Sequence, residues 1–171
     1  MTDVPTIRTE RLLLRRFVPE DVLALHTMFS DAEVMRYGSR PPHTEMAETE
    51  AVVAKTIAAG EAGEADFFAV LCDGELVGNA GIWQNDEVGF MFVRKVWGTG
   101  IAREAVTAII ERARARGMHK LTADVDPGNV RSLAFLKRFG FVVTGEAKNT
   151  WQVGGVWVDS VYLELKLASS E

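Results

Sequence analysis

Between Phe67 and Val93 the chain has room for three strands and almost none for the connections between them. Phe67 to Cys72 is an apolar run rich in β-formers. Asp73-Gly74 is a strong two-residue hairpin signal. Leu76 to Trp83 follows, interrupted by Gly78 and Gly81; Asn85-Asp86 turns the chain again, and Glu87 to Val93 makes the third run. Connections this short impose antiparallel pairing, because a parallel return needs a crossover of a dozen or more residues. The centre of the fold is therefore expected to be an antiparallel meander.

The meander empties into Val93-Arg-Lys-Val-Trp-Gly98-Thr-Gly100-Ile-Ala-Arg-Glu104, a strand end that runs into a helix start. Gly98 and Gly100 allow positive φ and a close approach to the main chain. The first turn of a helix leaves N–H groups unpaired at the positive end of the helix dipole. Together these features make an anion site suited to a phosphate or pyrophosphate. Ala102, Ala105, Val106, Ile109, Ile110 and Ala113 then mark one helical face, and Gly117 suits its C-terminal cap.

Lys120 to Val125 reads as the next strand; strand, helix and strand in this order suggest a right-handed parallel crossover. Asp126 to Asn129 forms a turn, a second helix runs over about 130 to 139, and Phe141 to Val143 is a short strand. Glu146 to Gln152 has no clear period, Gly154-Gly155 is a turn, and Val156 to Leu167 is a long final strand. Before the meander, residues 1 to 6 read as a loose start and Leu12 to Phe17 as a strand. Pro19 opens a helix carrying Val22, Leu25, Met28 and Phe29, and 31 to 44 is a loop. Residues 45 to 59 form a helix with Met46, Val53 and Ile57 inward. The whole predicts one α/β domain, 1 to 171 with a core over about 7 to 167, built on a mixed, mostly antiparallel sheet flanked by helices.

A net charge of -5 speaks against a general nucleic-acid binder. The single Cys72 excludes an internal disulfide and suits a reducing compartment. No apolar run has the length of a membrane span. The first eleven residues, with Asp3, Arg8, Glu10 and Arg11, lack the apolar core of a signal peptide. A cytoplasmic protein without membrane or nucleic-acid partners is expected. The three histidines, His26, His43 and His119, have no ligand spacing and read as surface or loop residues, so no metal is expected.

Several ligands compete for the glycine turn. A P-loop needs four residues between its glycines and a Lys-Ser/Thr pair, and both are missing. A dinucleotide fingerprint has Arg103 where Gly or Ala is required, and hairpins precede it where a doubly wound sheet would not have them. A coenzyme A pyrophosphate cradle fits; so does a tight turn with no ligand. Spacing alone leaves both open.

The order of elements, the turn and the segment Asn129-Val-Arg-Ser132-Leu-Ala-Phe-Leu-Lys-Arg-Phe-Gly140-Phe141 resemble the GNAT superfamily of acyl-CoA-dependent N-acyltransferases. Thr9-Glu10-Arg11-Leu12-Leu13-Leu14-Arg15, Trp97 to Ala102, Glu104-Ala105 and Asp159 resemble the branch containing the ribosomal-protein N-terminal acetyltransferases. Lys95 departs from the Arg or Gln usual three residues before the first glycine. The resemblance implies acetyl-CoA as co-substrate and an amine as acceptor. Phe92 and Val93 would pair with the pantetheine arm through their backbones. Lys95, Val96, Trp97, Gly98, Thr99, Gly100, Ile101 and Ala102 would hold the pyrophosphate, and Asn129 would bind pantetheine or brace the cleft. The thioester would lie where the strands at 87 to 93 and 120 to 125 splay apart.

Transfer to an amine needs a base for the ammonium proton, a donor for the oxyanion and an acid for the leaving thiolate. Glu87 is the first candidate base and Asp124 the second, with a structural strand-end acid as the alternative for each, and waters with backbone carbonyls as a third route. Backbone N–H groups near Met91 to Val93 are the oxyanion donors. Ser132 is the candidate acid and a candidate cofactor contact, with a plain helix cap as its alternative. Met35, Arg36, Tyr37, Trp83 and Trp151 fall where the resemblance places the acceptor pocket; Trp151 replaces the glutamate that the ribosomal branch can carry there. A catalytically silent acyl-CoA-binding regulator and, behind it, a nucleotide-binding module remain alternatives. The acceptor and the choice between monomer and homodimer stay open.

Overall fold

The turn expected at Asp73-Gly74 forms with both residues at positive φ, 50° and 77°, the geometry whose twist matches the flanking strands. Gly154 and Gly155 do the same at 57° and 80°. A computed structural model describes residues 5–168. In chain order the elements are β1 (Ile7–Arg8), β2 (Leu12–Arg15), α1 (Val22–Phe29), α2 (Ala32–Met35), α3 (Met46–Glu61), β3 (Asp66–Cys72), β4 (Glu75–Ile82), β5 (Val88–Phe92), α4 (Ile101–Ala115), β6 (Lys120–Val125), α5 (Val130–Arg138), β7 (Val142–Val153) and β8 (Val156–Lys166).

Two antiparallel sheets result. One has five strands in the order β1-β2-β3-β4-β5; the other has three, β6-β8-β7. They meet at a single parallel bridge, Glu87 to Thr122. The expected crossover thus starts as a parallel pair and stops after one rung, leaving the rest of β5 as an open edge. Glycine permits the tight packing of the meander: a Cβ on Gly78 would fall 2.4 Å from the Met91 carbonyl oxygen, and one on Gly81 2.4 Å from that of Asp66.

Helices cover both faces of the five-stranded sheet. α4 buries Ile101, Ala105, Val106, Ala108, Ile109, Ile110 and Ala113 in a core shared with Leu14, Phe68, Ala80, Leu121 and Leu163. The apolar period of α4 is thus the period of its buried face. On the opposite face, Leu25, Met28 and Phe29 of α1 and Val53 of α3 pack with Phe17, Phe67 and Ala69 in a second core.

Three sequence expectations are corrected. Met46, expected inward, is exposed because it opens α3 ahead of the turns that meet the core; Thr49, Val53 and Thr56 are buried instead. His43 lies in a loop as expected but is buried, stacked 5.1 Å from Phe29, and it shares the Thr49 hydroxyl with His26. The loop expected over 31 to 44 contains a short helix, Ala32–Met35; the stretch 146 to 152, left open by the sequence, is strand. It continues the strand from Val142 to Val153 across two register shifts, which break its period.

Candidate active site

The glycine turn is held from behind. Gly98 and Gly100 have φ of 74° and 84°, and Gly100 caps α4. A Cβ on Gly98 would meet nothing within 4 Å, so the outer face of the turn is bare main chain. The N–H groups of Val96, Trp97 and Thr99 bond to Val93, Arg94 and Val96 carbonyls within the turn. Ile101 N–H reaches only the Thr99 hydroxyl, at 3.4 Å. Among the described residues, the N–H groups of Gly98, Gly100, Ala102 and Arg103 have no hydrogen-bond acceptor. The donors left for an anion are thus narrower than the expected run from Val96 to Ala102. Lys95 does not point at them: its ammonium pairs with Glu75.

The brace behind the turn comes from the chain's beginning. Glu104 accepts the Thr9 hydroxyl at 2.6 Å, the Arg11 N–H at 2.8 Å and Arg11 Nε at 2.7 Å. Arg11 also donates to the Thr99 carbonyl at 3.1 Å. Burial raises the Glu104 carboxyl, but the bonds from Thr9 and Arg11 outweigh this and hold it below the usual range. Thr9, Arg11 and Glu104, quoted above only as parts of a resemblance, are therefore one device. Glu104→Ala is expected to weaken anion binding at the turn by about three- to tenfold, the loss of roughly 1 kcal/mol of hydrogen bonding; titration calorimetry with inorganic pyrophosphate checks it.

Beside the turn, β5 offers its edge. Trp83 N–H bonds to the Glu87 carbonyl and Val93 N–H to that of Val77, so in this register the odd-numbered residues of β5 face β4 with their backbones. Alternation then turns the backbone groups of Phe90 and Phe92 to the open side. The Phe92 carbonyl accepts Trp97 Nε1 at 2.9 Å, which leaves its N–H for a ligand. Val93, expected to share this role, uses its N–H on β4, and its carbonyl takes the Val96 N–H. The Trp97 ring also lies under the Arg131 guanidinium at 4.8 Å, a cation over the turn that sequence reasoning passed over.

The candidate acids converge at the seam between the sheets. Glu87 stands at the bridge, opposite Thr122. Its carboxyl is pushed up, first by burial and then by the charge of Asp124; its side chain makes no ion pair among the described residues. Asp124, two residues beyond Thr122 on β6, accepts Trp151 Nε1 at 2.8 Å. Two candidates for different roles are thus one hydrogen-bonded pair across the second sheet. Asn129 caps α5, its Oδ1 accepting the Ser132 N–H at 3.2 Å. The Ser132 hydroxyl makes no hydrogen bond among the described residues, so its backbone and not its side chain serves the cap.

On the face of α1 and α3 there is a cavity of about 130 Å³. Met35 and Trp83 line it. Arg36, Tyr37 and Trp151 do not. Tyr37 carries the Arg36 guanidinium over its ring and lies against the 126–129 turn, where a Cβ on Gly128 would fall 3.2 Å from its ring. Phe29, His43, Phe67, Asn79 and Met91 complete much of the lining; sequence reasoning had placed none of them here. The one legible signal was Asn79, an amide inside an apolar strand. Among the described residues no three His, Cys, Asp or Glu side chains gather as a metal site, and no helix is long and apolar enough to cross a membrane.

A family model described as an acetyltransferase (GNAT) domain matches residues 11–142. The chain belongs to the GNAT acetyltransferase family. This GNAT chain is 28% identical over 167 residues to an uncharacterized N-acetyltransferase, p20, of Bacillus licheniformis, covering 92% of this chain and 93% of that one. An acetyltransferase of the GNAT family from Bacillus anthracis superimposes with a TM-score of 0.81 at 27% identity, over 95% of this chain and 98% of that chain. RimL, the ribosomal L7/L12 alpha-N-protein acetyltransferase, in complex with coenzyme A, superimposes with a TM-score of 0.83 at 20% identity, over 95% of this chain and 98% of that chain. The mixed α/β fold with two splayed antiparallel sheets is the GNAT fold.

Proposed function

We propose that this GNAT domain transfers acetyl from acetyl-CoA to a primary amine by direct attack, and that it works as one cytoplasmic domain. The carrying observation is the set of unspent main-chain donors at Phe92, Gly98, Gly100, Ala102 and Arg103, interleaved with donors the turn uses itself. The half-buried carboxyl of Glu87 stands at the other end of the same strand, at the seam. The bare turn suits a pyrophosphate, and the open edge of β5 suits an extended amide-bearing arm that adds as a strand. The coenzyme bound to RimL supports the same reading.

The thioester supplies an acyl carbon that an amine can attack with loss of thiolate. Glu87 takes the proton of the acceptor ammonium, directly or through a water; burial and the charge of Asp124, which raise its pKa, make it a stronger base than an ordinary carboxylate. Phe92 N–H faces the oxygen that gains charge. Ser132 gives its hydroxyl proton to the departing sulfur and recovers one from solvent. An amide and free coenzyme A result. Asn129 orients Ser132 through the cap, and Asp124 holds Trp151. Titration calorimetry with acetyl-CoA is expected to show saturable binding. Mass spectrometry on a panel of amines is expected to show products 42 mass units heavier, the mass added by acetylation. Binding without any acetylated amine returns the chain to the silent acyl-CoA-binding alternative; NAD displacing coenzyme A would favour the nucleotide module.

A further inference from the structure

Three buried polar residues, His43, Thr56 and Asn79, line the cavity beneath Met35 and Trp83; His43 is bonded to Thr49 and Thr56 to the Val52 carbonyl, which leaves Asn79. Asn79 sits in the middle of β4 and is 6% exposed. Its amide makes no hydrogen bond among the described residues, yet no fully enclosed polar side-chain atom there lacks a partner. Its amide atoms therefore open into the cavity that they line. A buried amide with no partner costs free energy, and the sheet gives no reason for one: the neighbouring positions are Gly78 and Ala80.

The walls are apolar. Phe67 and Trp83 lie with ring centroids 4.7 Å apart, and Gly89 leaves room for both, since a Cβ there would fall 3.3 Å from Phe67 and 3.4 Å from the Trp83 indole nitrogen. Met91 is the cross-strand partner of Asn79 and shares its face. Alternation along β5 puts Glu87, Gly89 and Met91 on that same face. The lining contains no carboxylate; its charged member is Arg40 at the exposed rim. His43, also in the lining, is kept neutral by burial, which lowers its pKa.

We infer that this cavity receives the side chain next to the acceptor amine, and that Asn79 selects an uncharged side chain ending in a hydrogen-bonding group, such as a carboxamide. This rests on the transferase reading and narrows its acceptor. A glutamine-length chain brings its head to Asn79 and its stem against the aromatic wall, with the amine left toward Glu87. An aliphatic chain of equal length fills the space but leaves the Asn79 amide unpaired. An ammonium head finds no carboxylate and meets Arg40. A carboxylate head loses its water against the apolar wall.

The test uses binding as well as turnover. Calorimetry measures the N-acetyl methylamides of glutamine, norleucine, glutamate and lysine on the full chain, without coenzyme. The glutamine derivative is expected to bind at least about tenfold tighter than each of the others, the scale set by leaving a buried amide unpaired. Asn79→Ala and Asn79→Leu are expected to abolish that preference, and Asn79→Leu to favour norleucine; melting curves of both variants confirm that they fold. Equal binding of all four compounds, no binding of any, or an unchanged preference in folded Asn79→Ala overturns the assignment. If the preference stands and glutamine amide is not acetylated in the presence of acetyl-CoA, the transferase reading fails and the pocket assignment survives.

Discussion

Glu87→Gln lowers kcat by about 10²- to 10⁴-fold, the usual contribution of a positioned base, and leaves acetyl-CoA affinity within about twofold of the parent protein. The split follows from position. Glu87 stands at the bridge between the sheets, whereas the donors assigned to the coenzyme belong to β5 and the glycine turn. The parent enzyme gains activity as pH rises through the raised Glu87 value, with the ammonium of the acceptor titrating at higher pH; the variant loses the Glu87 limb. Stability moves the other way. Because burial and Asp124 raise the folded-state pKa, folding carries no penalty below the ordinary carboxylate range. A penalty grows as pH climbs toward the folded value and is full above it. Glu87→Gln is therefore at least as stable as the parent at neutral pH. A drop in kcat with an unchanged or higher Tm identifies lost chemistry; a drop that tracks a fall in Tm returns Glu87 to a structural role. Asp124→Asn, which keeps an acceptor for Trp151, is the companion: a loss of kcat as large as that of Glu87→Gln would move the base to Asp124.

Asp66→Ala destabilises the fold by about 3–5 kcal/mol, because it strips the counter-charge from a cluster of cations. Asp66 is 5% exposed. Its carboxylate meets Arg16 at 2.7 Å, Arg112 at 2.5 Å and Arg116 at 3.0 Å, and the Arg16 and Arg112 guanidinium groups also lie over the Phe68 ring. The cluster ties β2, β3 and the C-terminal end of α4 together. For a chain of this length the loss corresponds to a fall in Tm of roughly 6–20 °C. Burial raises the carboxyl, but the Arg112 bond and the charges of Arg112, Arg16 and Arg116 outweigh it and hold the group below its ordinary value. The stability it supplies is therefore full above the ordinary aspartate range and is lost as pH falls through the lower, folded value. Thermal melts at neutral pH and at about pH 3 check both parts: the gap between parent and Asp66→Ala narrows in acid.

Local signals predicted the meander well, because a turn such as Asp73-Gly74 carries its geometry in the residues themselves. The face of α4 was equally legible, since its apolar period is also the period of burial. What escaped depended on residues far apart in the chain. Thr9 and Arg11 stand 95 and 93 positions from Glu104, and nothing in either segment announces the other. Trp151 and Asp124 were separate candidates until the hairpin of β7 and β8 folded one onto the other. The cavity was partly legible: Met35 and Trp83, which line it, were named from the sequence, but Phe67 and Met91 looked like ordinary strand residues. Their place in the lining comes from a face shared across three strands. Lys95 could not be placed from the sequence, because a long flexible side chain takes its direction from whichever acid it reaches, here Glu75.

The open edge of β5 has one more consequence. If a substrate supplies the rung that the crossover lacks, it is read by peptide groups that every residue except proline carries alike. Such a groove places few demands on side-chain identity; it asks only for the right backbone path and for glycine where the path turns sharply. That would let a lineage rewrite most of its letters and keep its donor. The cavity around Asn79 and Trp83 carries the opposite constraint: it is walled by side chains, so each substitution there changes its shape and its chemistry.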